Sequence, residues 1–303
     1  MPGSGPASQK KPALTLSTDG KRQCGCQHPP RTGGRGKKIE TIRYPRTSVL
    51  GSCRRTGLAS CSATADVQIS KARNEGDLRD ASHFFVNAFW SASTSTESAP
   101  ALSENQRGEL ARMQLIDMEE RYSELVGTRR LKSTLLIARM DDEIVGCCGC
   151  ELAVVERAAM RVLPRSKGEA IFKNAFAELG GRARNELRKA SLQELSARLL
   201  PPGFEVQPVL SNLACDPSRR GTRLGRVLCE RCEDASLEWG YDSILLQVEE
   251  CNNAGRKLYE KLGYTEAWND GDATATRVQT EGGKLELVSV PTSLIGLSKP
   301  LSG

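Results

Sequence analysis

Arginine and glycine are concentrated in a short stretch between an apolar strand and the helix that follows it. Arg220, Arg223 and Arg226 share this stretch with Gly221 and Gly225. The first turn of a helix has N–H groups without intrahelical partners, and the helix dipole adds partial positive charge there. Free N–H groups beside cations bind anions such as phosphate. The stretch therefore predicts a phosphate-binding turn.

A second group of chemically useful side chains lies downstream, on a short predicted helix. Asn252 and Tyr259 are seven residues apart, which is close to two helical turns and places both on one side of the helix. An amide can anchor a ligand, and a phenol can donate a proton. The spacing predicts that both side chains face the same ligand.

Together the two stretches resemble the two cofactor motifs of the GNAT family of N-acetyltransferases. The family's pyrophosphate signature reads Gln/Arg-x-x-Gly-x-Gly/Ala, and its later motif reads Asn-x-x-Ala-x-x-Leu-Tyr-x-x-x-Gly-Phe/Tyr. Here the first motif runs from Arg220 to Gly225 and the second from Asn252 to Tyr264. Two positions depart from the family pattern, because Arg223 stands where the family has Gly and Gly255 stands where it has Ala.

The resemblance implies acetyl-CoA as co-substrate and assigns a role to each candidate residue. The pantetheine arm is expected to pair, as an added strand would, with the backbone of Leu213, Ala214 and Cys215. The pyrophosphate is expected to bind at Arg220, Gly221, Thr222, Arg223, Leu224, Gly225 and Arg226. The later motif is expected to contact the cofactor through Asn252, Asn253, Ala254 and Tyr259.

Tyr259 matches the family's general acid, which protonates the departing CoA thiolate. The acceptor amine also needs a group that accepts its proton. Glu249, Glu250 and a water chain remain alternatives for that base, since the sequence does not choose among them.

The elements that must position these residues follow from hydrophobic patterning. Strands are predicted at 67–71, 133–139, 144–152, 207–214, 243–248, 264–279 and 284–299. Helices are predicted at 78–90, 103–126 and 224–239 and around the second motif, with a helical insert at about 154–204. This order resembles the GNAT topology, which implies an α/β (α+β) fold over residues 66–303. Its central sheet is expected to be mixed, mostly antiparallel, of about seven strands with flanking helices, and splayed between strands four and five.

Composition bounds the class of protein. The chain has 303 residues, of which 38% are hydrophobic, enough to build a sizeable core. No apolar run approaches the roughly 20 residues that a membrane-spanning helix needs, so no span is predicted. Eleven Cys and two His occur, but no two pairs have zinc-binding spacing. No metal site is therefore predicted, and the thiols are interpreted as small apolar residues of a reduced interior.

The positive charge is concentrated at the start of the chain. Residues 1–65 carry ten more basic than acidic residues, and they lack hydrophobic periodicity. This composition predicts a disordered basic leader, typical of an organelle transit peptide. The predicted location is the plastid, with the mitochondrion and the cytoplasm as alternatives. A basic tail that binds nucleic acid is the competing interpretation of this segment, although no nucleic-acid partner is predicted for the chain.

The phrase Leu210-Ser-Asn-Leu-Ala214, the leader and the insert are most similar to the plastid branch of the family, whose members acetylate protein N-termini and lysines. The predicted function is therefore acetyl transfer from acetyl-CoA to protein N-terminal α-amines or lysine side chains. An alternative acceptor is a small arylalkylamine or polyamine. A catalytically silent CoA-binding sensor is a further alternative, favoured by Arg223. The sequence does not predict an oligomeric state.

Overall fold

The computed structural model describes residues 41–42, 67–90, 102–122, 131–159, 161–281 and 284–301. Its strands are β1 (Thr41–Ile42), β2 (Val67–Lys71), β3 (Ser133–Met140), β4 (Glu143–Glu156), β5 (Arg161–Val162), β6 (Phe204–Cys215), β7 (Ser243–Glu249), β8 (Thr265–Asp270), β9 (Thr274–Glu281), β10 (Lys284–Pro291) and β11 (Leu294–Pro300). Its helices are α1 (Glu75–Trp90), α2 (Glu104–Tyr122), α3 (Arg165–Glu178), α4 (Gly181–Leu187), α5 (Leu192–Leu199), α6 (Leu224–Glu238) and α7 (Asn253–Lys261). Apart from β1, the predicted leader lies outside the described residues.

One sheet organises these elements. Its strand order is β1-β2-β3-β4-β6-β7-β11-β8, with β5 paired to β4. All neighbouring strands are antiparallel except β6 and β7, which are parallel. Because β1 and β5 have only two residues each, the sheet consists of seven longer strands. The predicted mixed, mostly antiparallel sheet with flanking helices is therefore confirmed.

Local signals explain why the first elements form where they do. Asn74 accepts a hydrogen bond from the Asp77 N–H at 2.9 Å, which satisfies one of the free donors at the start of α1. Asp141 and Asp142 both have positive φ values, 51° and 66°, as a two-residue hairpin turn requires. That turn joins β3 to β4 and fixes their register.

Helices cover both faces of the sheet. Along β3, Leu135 and Ile137 pack in the cluster that contains α1 and α2. Their neighbours Leu136 and Ala138 pack in the cluster that contains α6 and α7. Successive residues of a strand point to opposite faces, so α1 and α2 lie on one face, called here the α2 face. Helices α6 and α7 lie on the other, called the α6 face.

The insert adds a third apolar cluster on the α6 face. Residues of α3, α4 and α5 pack there against Leu152, Val154 and Val206 of the sheet. Ser191 caps α5 by accepting the Glu194 N–H, and the Glu194 carboxylate accepts the Ser191 N–H in return. Strand β4 extends to Glu156, into the range assigned above to the insert.

The end of the chain differs from the prediction of two long strands. Each of the two predicted strands breaks into two. In the turn after β8, Asp270 accepts the Asp272 N–H at 3.1 Å. The Thr292 N–H donates to Ala273 O at 2.8 Å and so joins the start of β9 to the end of β10. Strands β8 and β11 remain in the sheet, whereas β9 and β10 form a separate hairpin.

Candidate functional site

Strands β6 and β7 separate soon after they pair. Only Val209 and Leu210 have partners on β7, namely Leu245 and Leu246, although β6 continues to Cys215. Strands β6 and β7 are the fourth and fifth of the predicted strands, so the splay predicted between those two is confirmed. Beyond Leu210, the backbone groups of β6 that point toward β7 have no strand to pair with.

A β-bulge lies where the two strands part. The register of β4 and β6 shifts between Cys147 and Gly149, and Asn212 on β6 has a φ of 52°. A bulge bends its strand and increases the local twist. We therefore attribute the divergence of β6 from β7 to this bulge.

The open edge of β6 carries the residues predicted to bind pantetheine. The Asp216 N–H donates to Val145 O at 2.9 Å, toward β4. Backbone groups of successive strand residues point to opposite edges, so the Cys215 N–H points toward the splay. An extended ligand can pair with this edge as an added strand, which is the geometry that a pantetheine arm requires.

The turn after β6 presents free N–H groups. Gly221 and Arg223 have φ values of 81° and 67°, and α6 begins at the next residue, Leu224. The first intrahelical bond runs from the Val227 N–H to Arg223 O at 3.1 Å. The N–H groups of Leu224, Gly225 and Arg226 precede that bond and have no helical acceptor.

Arginines surround these N–H groups. Arg219, Arg220 and Arg223 are exposed, and within the described part of the chain they form no ion pair. Arg226 differs, because its Nε donates to Glu230 at 2.7 Å. Free N–H groups and uncompensated cations together suit a pyrophosphate, so the residues present fit acetyl-CoA at this turn.

Helix α7, α6 and β6 meet at this point. A Cβ at Gly225 would lie 3.4 Å from Leu258 Cδ2 and 3.5 Å from Cys215 Sγ. The second predicted motif is thus placed beside the first and beside the end of β6. Asn252 has a structural task there as the cap of α7, since its Oδ1 accepts the Gly255 N–H at 2.9 Å. Asn253 and Ala254 are exposed in the first turn.

Tyr259 is buried in the cluster formed by α6 and α7. Its ring packs edge-to-face against Tyr264, with centroids 5.8 Å apart. Burial raises the pKa of Tyr259 well above its ordinary value, so the phenol is protonated at neutral pH. Its hydroxyl has no hydrogen-bond partner among the side chains that the structure describes. Tyr259 can therefore act as a proton donor.

The two carboxylates considered as bases differ in surroundings. Glu249 Oε1 accepts from Arg277 at 3.0 Å, and its other oxygen also binds Arg277 and, at 3.5 Å, Thr292. The bond with Arg277 holds the pKa of Glu249 below its usual value. An ion-paired carboxylate that anchors the β9–β10 hairpin is a poor proton acceptor. Glu250 is exposed.

Sequence reasoning missed a polar cluster on the opposite face of the sheet. Tyr122, at the end of α2, bonds both Ser211 and Asn212 at the bulge. Beside it, the buried Glu151 carboxylate binds Arg121 and Arg165. No local sequence pattern indicates the hydrogen bonds of Tyr122 or the ion pairs of Glu151, because the partners come from distant parts of the chain.

Neither a metal site nor a membrane span emerges from the described ranges. No group of three or more His, Cys, Asp or Glu residues in them could hold a metal ion. Cys147, Cys148, Cys150, Cys229 and Cys232 are buried free thiols. Among the helices described, none is long and apolar enough to cross a bilayer.

Comparison with known proteins identifies the segment that carries both motifs. Residues 196–264 match the family model described as Acetyltransferase (GNAT) family, a range that includes β6, α6, β7 and α7. No curated protein sequence matches the chain.

Several solved structures are similar to the chain at low identity. An N-acetyltransferase of Staphylococcus aureus Mu50 is 11% identical, with 78% of this chain and 99% of that chain covered and a TM-score of 0.38. The ribosomal-protein-S18-alanine N-acetyltransferase of Escherichia coli is 16% identical, with 78% and 95% covered and a TM-score of 0.39. A Salmonella typhimurium protein whose structure contains acetyl-CoA is 14% identical, with 78% and 95% covered and a TM-score of 0.37.

Proposed function

We propose that this chain, an acetyl-CoA-dependent N-acetyltransferase of the GNAT kind, transfers acetyl to amines carried on polypeptides, either protein N-terminal α-amines or lysine side chains. The observation that carries acetyl transfer is the open edge of β6, which leads directly into the turn of free N–H groups and arginines before α6. One extended ligand with an anionic end fits both features.

The acyl donor supplies an activated thioester, and the described residues supply binding and a proton. The free edge of β6 orients the donor, and the turn at Gly221 to Arg226 holds its anionic end. Tyr259 is protonated at neutral pH, as an ordinary phenol is, and gives its proton to the departing thiolate. The amine's own proton passes to water or to the exposed Glu250, since Glu249 is occupied by Arg277.

The support for a polypeptide acceptor is a resemblance in sequence. The phrase Leu210-Ser-Asn-Leu-Ala214, the basic leader and the helical insert are most similar to the branch of the family whose members acetylate protein N-termini and lysines.

The test is a competition between acceptor classes. Full-length protein, acetyl-CoA and an equimolar mixture of free-N-terminus peptides, N-terminally blocked lysine peptides, an arylalkylamine and a polyamine are incubated together and analysed by mass spectrometry. The expected products are acetylated peptides. The Gly221→Asp variant, expected not to bind acetyl-CoA, measures spontaneous acetylation. A kcat/KM for either small amine that exceeds every peptide's by tenfold contradicts the polypeptide proposal.

We further propose that residues 1–65 direct the protein to the plastid. The support is compositional, since this segment holds the whole excess of positive charge of the chain. A fluorescent protein carrying residues 1–65 is expected to enter plastids of a plant cell, whereas the same protein carrying residues 66–130 is expected to stay in the cytosol. Cytosolic fluorescence of the first fusion contradicts the proposal.

A further inference from the structure

Three polar side chains form a hydrogen-bonded chain at the bulge of β6. Asn212 Nδ2 donates to the Tyr122 hydroxyl oxygen at 3.1 Å. The Tyr122 and Ser211 hydroxyl oxygens are 2.8 Å apart. Because Tyr122 already accepts from Asn212, and a phenol is a stronger acid than an alkyl hydroxyl, Tyr122 donates to Ser211. The Ser211 proton is therefore left for another acceptor.

That proton has no acceptor among the described residues. The Ser211 hydroxyl contacts Tyr122 alone, and Ser211 is only partly buried. It is the first residue of β6 beyond Leu210, the last residue that pairs with β7. A partly buried hydroxyl is open to water or to a ligand. The Ser211 hydroxyl is thus a free hydrogen-bond donor at the point where β6 and β7 part. The thioester of acetyl-CoA bound along β6 is expected there.

The position of the Tyr122 side chain is fixed by the residues packed around it. It is 8% exposed, and its hydroxyl lies over Gly149, where a Cβ would be only 1.9 Å from the hydroxyl oxygen. Gly149 therefore makes the room that Tyr122 occupies. The preceding residue, Arg121, binds Asp117 at 2.9 Å and also the buried Glu151, which fixes the end of α2 on the sheet.

Ser211 and Tyr259 lie on opposite faces of the sheet. Leu210 and Leu213 pack in the cluster that contains Tyr259, on the α6 face. Ala214 packs with α1 and α2 on the other face, and Ser211 lies on that same α2 face because it bonds Tyr122. A role for Ser211 is thus separate in space from the role assigned to Tyr259.

We propose that Ser211 is a further catalytic residue, whose hydroxyl donates a hydrogen bond to the thioester carbonyl oxygen as acetyl transfer makes that oxygen negative. Tyr122 and Asn212 are positioning residues that orient the Ser211 proton. In the reaction the amine nitrogen bonds the carbonyl carbon and the carbon–sulfur bond breaks. The neutral amine loses one proton to water or Glu250, Tyr259 gives its proton to sulfur and regains one from solvent, and Ser211 keeps its own. This role rests on the proposed acetyl transfer but does not depend on the class of amine.

The first test compares turnover of Ser211 variants of the full-length protein, with the acceptor on which the wild type is most active. Ser211→Ala is expected to lower kcat about 10²-fold, the effect of losing one oxyanion donor, with the Kd for acetyl-CoA nearly unchanged. Ser211→Thr keeps a hydroxyl and is expected to restore most of the rate. Ser243→Ala on β7, whose hydroxyl bonds Gln207, is the matched control and is expected to act like wild type.

The second test observes the hydrogen bond without turnover. Infrared difference spectra of bound acetyl-CoA, labelled with ¹³C at the acetyl carbonyl, report hydrogen bonding to that oxygen. Ser211→Ala is expected to shift the carbonyl stretch to higher frequency, and Ser211→Thr is expected to leave it in place. A carbonyl stretch that is identical in wild type and Ser211→Ala overturns the proposal. The proposal is also overturned if Ser211→Ala raises only the KM for the acceptor and leaves kcat unchanged.

A double-mutant cycle tests the positioning role. Tyr122→Phe keeps the packing of the ring and is expected to lower kcat in the wild-type background. In the Ser211→Ala background it is expected to have no further effect, because its action passes through Ser211. Equal losses in both backgrounds would show that Tyr122 acts independently of Ser211 and would overturn this part of the proposal.

Discussion

The proposed reaction depends on Tyr259 as its proton donor. The Tyr259→Phe change removes the hydroxyl and keeps the ring packed against Tyr264, so little stability should be lost. Loss of a general acid lowers turnover by about 10²–10⁴-fold, and the moderate pKa of a thiol, about 8.5, favours the low end. We expect this loss in single-turnover rates, with the acetyl-CoA affinity nearly unchanged. A wild-type rate where chemistry limits turnover means that the thiolate leaves without Tyr259.

Arg223 shows what a departure from the family motif does to the backbone. Its φ of 67° is left-handed, a conformation that costs a residue with a Cβ about 1–2 kcal/mol. Glycine avoids that cost but loses about 0.5–1 kcal/mol of chain entropy on folding. Arg223→Gly should therefore change the free energy of unfolding little, with a small gain.

The same Arg223→Gly variant should bind acetyl-CoA as well as the wild type or better, because the N–H groups of the turn remain. Calorimetry measures this, with Arg223→Gln as the control that removes the charge and keeps the left-handed backbone. An affinity loss of tenfold, about 1.4 kcal/mol, in both variants would make the Arg223 guanidinium itself a phosphate ligand.

Gly221 tests the turn as an anion site. Gly221→Asp places a carboxylate against the expected pyrophosphate and should abolish acetyl-CoA binding in calorimetry. Gly203→Asp is the matched control, because Gly203 has a similar φ, 88° against 81°, and both have open space around a would-be Cβ. The two variants should lose similar stability. Equal acetyl-CoA affinity in both would show that the turn does not bind the anion.

The insert is attached to the sheet through a buried ion pair. Glu151 on β4 and Arg165 on α3 are 4% and 3% exposed at their side chains. Removing one partner of a buried pair costs about 3 kcal/mol, because the other charge stays buried. Glu151→Gln should lower the free energy of unfolding by about that amount in urea titrations.

Glu156→Gln is the control for this change. Glu156 pairs with Arg161, which is 59% exposed, and an exposed pair contributes less than about 1 kcal/mol. Similar losses of stability in the two variants would mean that the Glu151 ion pairs, with Arg165 and with Arg121, contribute no more than an exposed pair.

The elements that could be predicted from the sequence are those with one apolar face. Helix α6 runs from Leu224 to Glu238, close to the range 224–239 that the spacing of apolar residues predicts, and Gly240 follows it with a φ of 88°. The division of the last two strands was not predicted, because one of the bonds that close the loop after β8 joins Thr292 to Ala273, nineteen positions apart. The contact of Tyr122 with Ser211 spans 89 positions, which no local pattern reports.

In the whole molecule, the proposed reaction uses one part from each of several elements. Strand β6 offers an open edge, the start of α6 offers free N–H groups, and α7 offers Tyr259. The α2 face offers Ser211, oriented by Tyr122. The open edge exists because β6 bends away from β7 at the bulge, so the splay is the feature on which the account depends.

Amide hydrogen exchange of the full-length protein, with and without acetyl-CoA, tests that dependence most directly. Binding of acetyl-CoA is expected to protect residues 213–215 on the open edge of β6 and residues 224–226 at the start of α6, while exchange in α3, α4 and α5 stays unchanged. The account is contradicted if calorimetry shows that acetyl-CoA binds and exchange at both of these segments is the same with and without it.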